Sequence, residues 1–453
     1  MGAEPARPGA TPTGRAGPQG TVLTSSSVPP ARLPRLLCGV TYRREVCRPL
    51  DFRVRYALRL PTRLIRPATV VAVAGLVALV LPACARPPGQ ATAARPTATP
   101  STPPPVVIKT LPNSPPAPPP PVGPDPTNLY AQAGAGQLAP AVRSARPLVY
   151  VPDSDESAVD LIDPATRQLV GRLNVDKGPQ HVVPSWDLSK LYVVSESGRV
   201  IPIDPRTGRL LGSGTDLPAP YDLYFSPDGR LAIAVAESTE DLLFLDPETL
   251  TPLSRLHVDC PGINHLDFAV DESYLIASCE YASRIVRVDL RLLAVTGYLD
   301  LGGMPQEVRL DPRGRFFYVG DIVAGGLHLI DGEAMKKVGF IKTGQGAYGI
   351  VVSRDGRSLY VTNRGESTVS VVDVAAGTVK STWRITGASP DLASLSSDGA
   401  VLWVSGRFDS EVYAVSTSDG TVLARVPVGK GPHGLLVWPQ PGRYSLGSNA
   451  MMR

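Results

Sequence analysis

The chain has 453 residues, with 45 Lys and Arg against 41 Asp and Glu, and is 43% hydrophobic. Residues 1–83 hold twelve arginines and three acids, whereas from Cys84 onward 33 basic residues meet 38 acidic ones. The basic excess belongs to the leader, so the overall charge gives no ground for expecting a nucleic-acid partner.

Between Ala68 and Leu81 runs ATVVAVAGLVALVL, preceded by Arg63 and Arg66 and followed by Pro82, Ala83 and Cys84. A basic flank, a short apolar core and small residues at its end describe a secretory signal. The run falls short of the roughly 20 residues that a membrane-crossing helix needs. Leu81-Pro82-Ala83-Cys84 resembles the lipobox of bacterial lipoproteins. That resemblance implies acylation of Cys84 and anchorage to the outer face of the cytoplasmic membrane. An uncleaved signal anchor is the alternative, and both place the rest of the chain outside the cytoplasm. Residues 1–83 are thus read as a leader, long at its Pro-, Gly- and Arg-rich start, with a true start possible near Val54.

Residues 84–145 contain TATPSTPPP, NSPPAPPPPVGPDP and AQAGAGQLAPA. Proline at this density fixes φ and removes donors, which predicts a disordered, extended tether holding the following domain off the membrane.

From 146 to 447 one phrase recurs: a Ser-Pro-Asp-Gly-like turn, two short apolar strands, then Asp-Pro or its equivalent. Asp163, Asp204, Asp246, Asp289, Asp331 and Asp373 mark the beat at spacings of 41–43 residues, and Ser416 continues it. A repeat of this length made of strands predicts an all-β, seven-bladed β-propeller. Inner strands are expected at 181–183, 222–225, 265–270, 307–310, 349–352, 392–395 and 434–438. The first blade starts at 148–151 without an inner strand, and 434–438 has no partners after it. The C-terminal inner strand is therefore expected to pair with the N-terminal strands and close the ring without open edges. Residues 448–453 remain as a tail. The recurring acids read as turn formers that accept backbone N–H bonds, and none is a catalytic candidate.

Leu359-Tyr360-Val361-Thr362-Asn363, followed by Ser367 to Asp373, carries a further signal, with a weaker copy at Leu191 to Val194 and a closing Gly431-Pro432-His433-Gly434. These segments resemble the YVTN-repeat proteins with a lactonase-like seven-bladed propeller, over roughly residues 146–440. The resemblance implies architecture and no particular activity. Its relatives range from surface-layer and periplasmic proteins to gluconolactonase-like enzymes and the haem-bearing domain of nitrite reductase. No Cys-x-x-Cys-His is present to attach haem.

Loops that enter the inner strands and loops that leave the second strands should open on one face. Counting back from each turn brings His181, Asp222, His265 and Glu307 to one level in four consecutive blades, and these four are the candidate ligands of one divalent metal at the propeller axis. Zinc would favour the imidazoles and a hard cation the carboxylates. One residue earlier come Gln180, Tyr221, Asn264, Gln306, Tyr348, Asp391 and His433. Counting forward gives Glu196, Glu237 and Glu280 on one side and Arg364 and Arg407 on the other, which predicts a funnel acidic on one wall and basic on the other. Candidate ligand-binding residues are His181, Tyr221, Asp222, Asn264, His265, Glu307, Tyr348, Arg364, Arg407 and His433. Side chains that merely solvate a water-filled channel are the plainer alternative.

Cys260 and Cys279 fall at the same end of one blade, and in an oxidising compartment a disulfide is expected between them. The sequence supports an exported, membrane-tethered monomer whose polar axial funnel binds a small molecule or an extracytoplasmic protein. Metal-dependent lactone or ester hydrolysis in the same funnel, or a purely structural role in the cell envelope, are the alternatives. No nucleophile elbow of the Gly-x-Ser-x-Gly type is present, so no catalytic residue is assigned.

Overall fold

A computed structural model describes residues 128–453. The leader, Cys84 and most of the proline-rich tether lie outside the described residues. No helix among the described residues is long and apolar enough to cross a membrane.

The described residues form seven antiparallel sheets in a ring. In blades 2 to 7 the innermost strands are Pro179–Pro184, Asp222–Phe225, Ile263–Phe268, Pro305–Leu310, Ala347–Val352 and Pro390–Leu395. Blade 1 is built from both ends of the domain. Leu436–Trp438 pairs with Leu148–Asp153, setting Leu148 opposite Trp438 and Tyr150 opposite Leu436, and Ala158–Asp163 and Gln168–Asn174 follow outward. The expected closure is thus observed. Inner and second strands are almost wholly buried, whereas outermost strands such as Gln168–Asn174 alternate between exposed and half-buried residues. This gradient follows from packing twisted sheets face to face around an axis, where only the last strand meets water.

The recurring acids make turns, as expected. Asp289 Oδ1 accepts N–H bonds from Arg291 and Leu292 at 2.8 and 2.7 Å, and Asp373 Oδ1 accepts from Ala375 and Ala376 at 2.9 and 2.8 Å. Such donors stabilise the ionised carboxylate and hold Asp373 below its usual pKa.

Two segments differ from the sequence reading. The tether was expected to reach 145, but Tyr130, Ala133 and Val142 are buried against the propeller. Leu129 N–H donates to Pro312 O at 2.8 Å and Tyr130 OH to Leu310 O at 3.0 Å. Residues 448–453, expected as a tail, are buried except for half-buried Ala450 and close the channel at the ends of the inner strands opposite the funnel. Neither segment carries the repeat, so the periodicity could not place them.

Candidate metal centre and axial funnel

The site is made where each inner strand begins. Register shifts occur there in five blades, between Pro179 and His181, Ile263 and Leu266, Pro305 and Val308, Ala347 and Ile350, and Pro390 and Ala393. A bulge breaks the in-and-out alternation of a strand and re-aims its side chains. Neighbours such as Asn264 and His265 therefore both find axial partners.

His181, Asp222 and His265 form a group of plausible metal-coordination geometry near the propeller axis, each offering one ligand atom within 4.8 Å of the others. All three are fully buried. Asp222 Oδ2 lies 3.8 Å from His181 Nε2 and 3.6 Å from His265 Nδ1. Both separations are too long for hydrogen bonds. They are close to the roughly 3.3 Å that separates two ligands of one tetrahedral zinc ion. Both ring nitrogens of His181 and Asp222 Oδ2 have no hydrogen-bond partner, a costly condition for buried polar atoms. Asp222 Oδ1, by contrast, accepts the Leu223 N–H at 2.8 Å, which orients the carboxylate. Gly434 makes room for the His181 ring: a Cβ at position 434 would stand 2.1 Å from His181 Nδ1.

The protonation states of His181 and Asp222 suit a cation, whereas at His265 a cation would have to displace a proton. Burial pulls the His181 pKa down to about 3, with Asp222 offsetting only part of the effect, so the ring is neutral at pH 7 with a lone pair to give. Burial alone would raise Asp222, but His181 and His265 outweigh it and keep the carboxylate ionised. Burial works against a charged His265 as well, yet Asp222 and Glu307 reverse it and raise its pKa.

Glu307, expected as the fourth ligand, is not in this group. Its carboxylate accepts from Arg309 at 2.6 Å and from Asn449 Nδ2 at 2.5 Å. Arg309 lies two residues further along the same strand, and its buried guanidinium needs a counter-charge.

Above these three residues lies a floor of Tyr221, Tyr348 and His433. His433 Nε2 and Tyr221 OH are 2.9 Å apart, Tyr221 OH and Tyr348 OH 3.4 Å, and Tyr348 OH and His265 Nε2 3.5 Å. His433 Nδ1 meets Asp391 Oδ2 at 2.6 Å, and the other Asp391 oxygen accepts from Arg364. Burial would raise the Asp391 pKa, but Arg364 and His433 together hold it well below the carboxylate range. Burial, then Arg407, lowers His433 to about 3. Asp391 shares the level of Tyr348 and His433 but was not selected from the sequence; its regular place beside two selected residues was the available signal.

The walls are polarised as expected. Glu196, Tyr221, Glu237 and Tyr281 line a cleft of about 520 Å³. Burial, then the Glu280 and Glu196 carboxylates, push Glu237 up to about 7. Asn264 Nδ2 donates to Glu280 and to Gln306, both at 3.2 Å, and so serves the wall rather than the metal group. On the basic wall the Arg364 guanidinium stacks 4.2 Å from the Tyr348 ring centre, and Arg407 keeps one buried N–H-bearing nitrogen unpartnered. The Cys260–Cys279 disulfide is formed, with Cα atoms 4.9 Å apart, and ties the loop before Ile263–Phe268 to the strand that ends beside Glu280.

Known structures share this architecture. A functionally unknown protein from Desulfotomaculum acetoxidans DSM 771 is 16% identical, with 64% of this chain covering 99% of that one at a TM-score of 0.56. A "putative 6-phosphogluconolactonase" from Bacteroides uniformis ATCC 8492 is 20% identical, over 64% and 99% of the two chains, at a TM-score of 0.51. Its counterpart from Bacteroides fragilis NCTC 9343 is 18% identical, over 65% and 98%, at 0.52. At these identities the likeness establishes the fold. No curated protein matches the chain. Residues 127–441 match the YNCE-like β-propeller family, and the chain belongs to that family.

Proposed function

We propose that the protein is a metal-dependent propeller that hydrolyses a lactone or ester carrying an anionic group, exported and tethered to the membrane through Cys84. The observation that carries this reading is the buried group of His181, Asp222 and His265, in which three ligand-type atoms have no partner. A divalent cation held by these residues would supply Lewis-acid polarisation of a carbonyl. Arg364 and Arg407, on the basic wall, suit the anionic part of the substrate. Glu237, with a pKa of about 7, can exchange a proton at neutral pH in the cleft that Tyr221 also lines. The Bacteroides structures described as phosphogluconolactonases share the fold, and a phosphorylated lactone is one substrate that would fit the two arginines.

A second reading, a binding scaffold with a structural metal, is favoured by the burial of all three ligands beneath Tyr221, Tyr348 and His433. The test is to measure metal content and then turnover of neutral and phosphorylated lactones by the metal-loaded protein. Metal-dependent turnover that falls in Arg407→Ala supports the hydrolase. A bound metal without turnover supports the scaffold, and a protein that binds no metal contradicts both. Tethering is tested separately: Cys84→Ser should move the protein from the membrane to the soluble fraction.

A further inference from the structure

The metal group has a second boundary, on the side away from the funnel. Gly447 pairs with Tyr224 in the inner strand of blade 3, and Phe225 N–H donates to Leu446 O at 3.0 Å. The single turn Ser448–Ala450 then packs against the inner strands of blades 1, 2, 3 and 7. Apolar anchors hold it from both sides: Tyr444, Leu446 and Met451 join the core of blades 3 and 4. Arg453 adds an ion pair with Asp267 at 3.2 Å.

The tip of this turn runs through left-handed backbone, which is costly at its non-glycine residues. Gly447, Asn449 and Ala450 have φ of 100°, 48° and 54°, and a left-handed alanine alone costs about 1 kcal/mol. A Cβ at position 447 would stand 2.2 Å from Leu223 O, so only glycine lets the turn approach. What the turn brings to the channel is oxygen. Asn449 Oδ1 is buried without a partner, and the buried Ser448 hydroxyl makes no hydrogen bond of ordinary geometry, although it lies close enough to Asp222 and Tyr224 to favour the charged form of each. The Ser448 hydroxyl thus stands beside Asp222, whose Oδ2, like both ring nitrogens of His181, makes no hydrogen bond of ordinary geometry. Two polar linings that both lack partners are what a shared cation between them would satisfy.

We propose that Ser448 Oγ completes the coordination shell begun by His181, Asp222 and His265, so that metal binding and docking of residues 447–450 are a single coupled event. The proposal rests on the metal reading above and extends it: two imidazoles, a carboxylate and a hydroxyl select a first-row transition ion of the zinc type over calcium or magnesium. The bound ion is then locked in from below by the chain itself.

The experiment uses the full chain and Zn²⁺ alone. Amide hydrogen exchange across 444–453 is measured with and without zinc, together with the rate at which a chelator removes zinc from wild type, Ser448→Ala, Ser448→Thr and Gly447→Ala. Zinc should slow exchange across the segment in wild type. Ser448→Ala and Gly447→Ala should release zinc about 10- to 100-fold faster, and Ser448→Thr should stay close to wild type. One zinc per chain with segment exchange unchanged by zinc, or with wild-type release from Ser448→Ala, overturns the coupling and leaves the metal reading standing. Failure of wild type to bind zinc overturns both. Should a variant fail to fold, the wild-type exchange measurement decides alone.

Discussion

The turns at the rim of the blades and the channel at their axis are built from the same residue types, with opposite results. Asp289 and Asp373 each accept two backbone N–H bonds from their own turn. Asp222, equally short and acidic, has one oxygen bound by its neighbour's N–H and the other aimed at two histidines with which it makes no hydrogen bond. An acid that repeats from blade to blade and is satisfied locally belongs to the architecture. An acid that occurs once and stays unsatisfied when buried marks a site, because leaving such an atom unpaired costs about 1–3 kcal/mol unless a ligand repairs it.

The comparison is broken most severely by Gly434→Ala. Its methyl group would collide with His181 Nδ1, so the variant should lose metal affinity by at least about 100-fold and up to about 3 kcal/mol of stability. Metal titration and thermal unfolding check this, and wild-type affinity would mean that His181 is no ligand. Opening the Cys260–Cys279 disulfide by Cys260→Ser should cost about 3 kcal/mol, read as a lower denaturation midpoint, with the loop beside Glu280 the first region to gain hydrogen exchange.

A smaller effect is expected at the acidic wall. Glu237 has a folded-state pKa of about 7, above its ordinary value of 4.5. Between these values the folded state binds more protons than the unfolded one, so stability falls as pH rises from 4.5 to 7. Glu237→Gln should match wild type near pH 4 and exceed it at pH 8 by about 1 kcal/mol, after allowing for solvent in the open cleft. Equal pH profiles would show that Glu237 ionises normally. The smallest effect belongs to the turns: Asp373→Ala should lower the thermal unfolding midpoint only slightly, by loss of the two turn hydrogen bonds, and leave metal affinity unchanged.

Much of this was legible because a propeller converts sequence period into height along an axis. The spacing of Asp163 to Asp373 places each inner strand, which is why His181, Asp222 and His265 could be brought to one level, and why Glu196, Glu237 and Glu280 fell opposite Arg364 and Arg407. Height is not direction. Glu307 stands at the right level, but Arg309 on its own strand and Asn449 from a distant segment take its carboxylate, and neither partner follows from the repeat. Asp391 was visible at the level of His433, yet its role depends on a 2.6 Å contact that spacing does not encode. The turn at 448–450 was the least legible part, since it belongs to no blade and reaches the axis only because Gly447 lets it pass.

The most direct test of the account is the metal content of the purified chain beside that of Asp222→Asn, each after incubation with an equimolar mixture of zinc, manganese, calcium and magnesium. The account predicts one first-row transition ion per wild-type chain and a loss of most of it in the variant, with the fold retained by circular dichroism. No ion above background in wild type, or equal content in the two proteins, would contradict it.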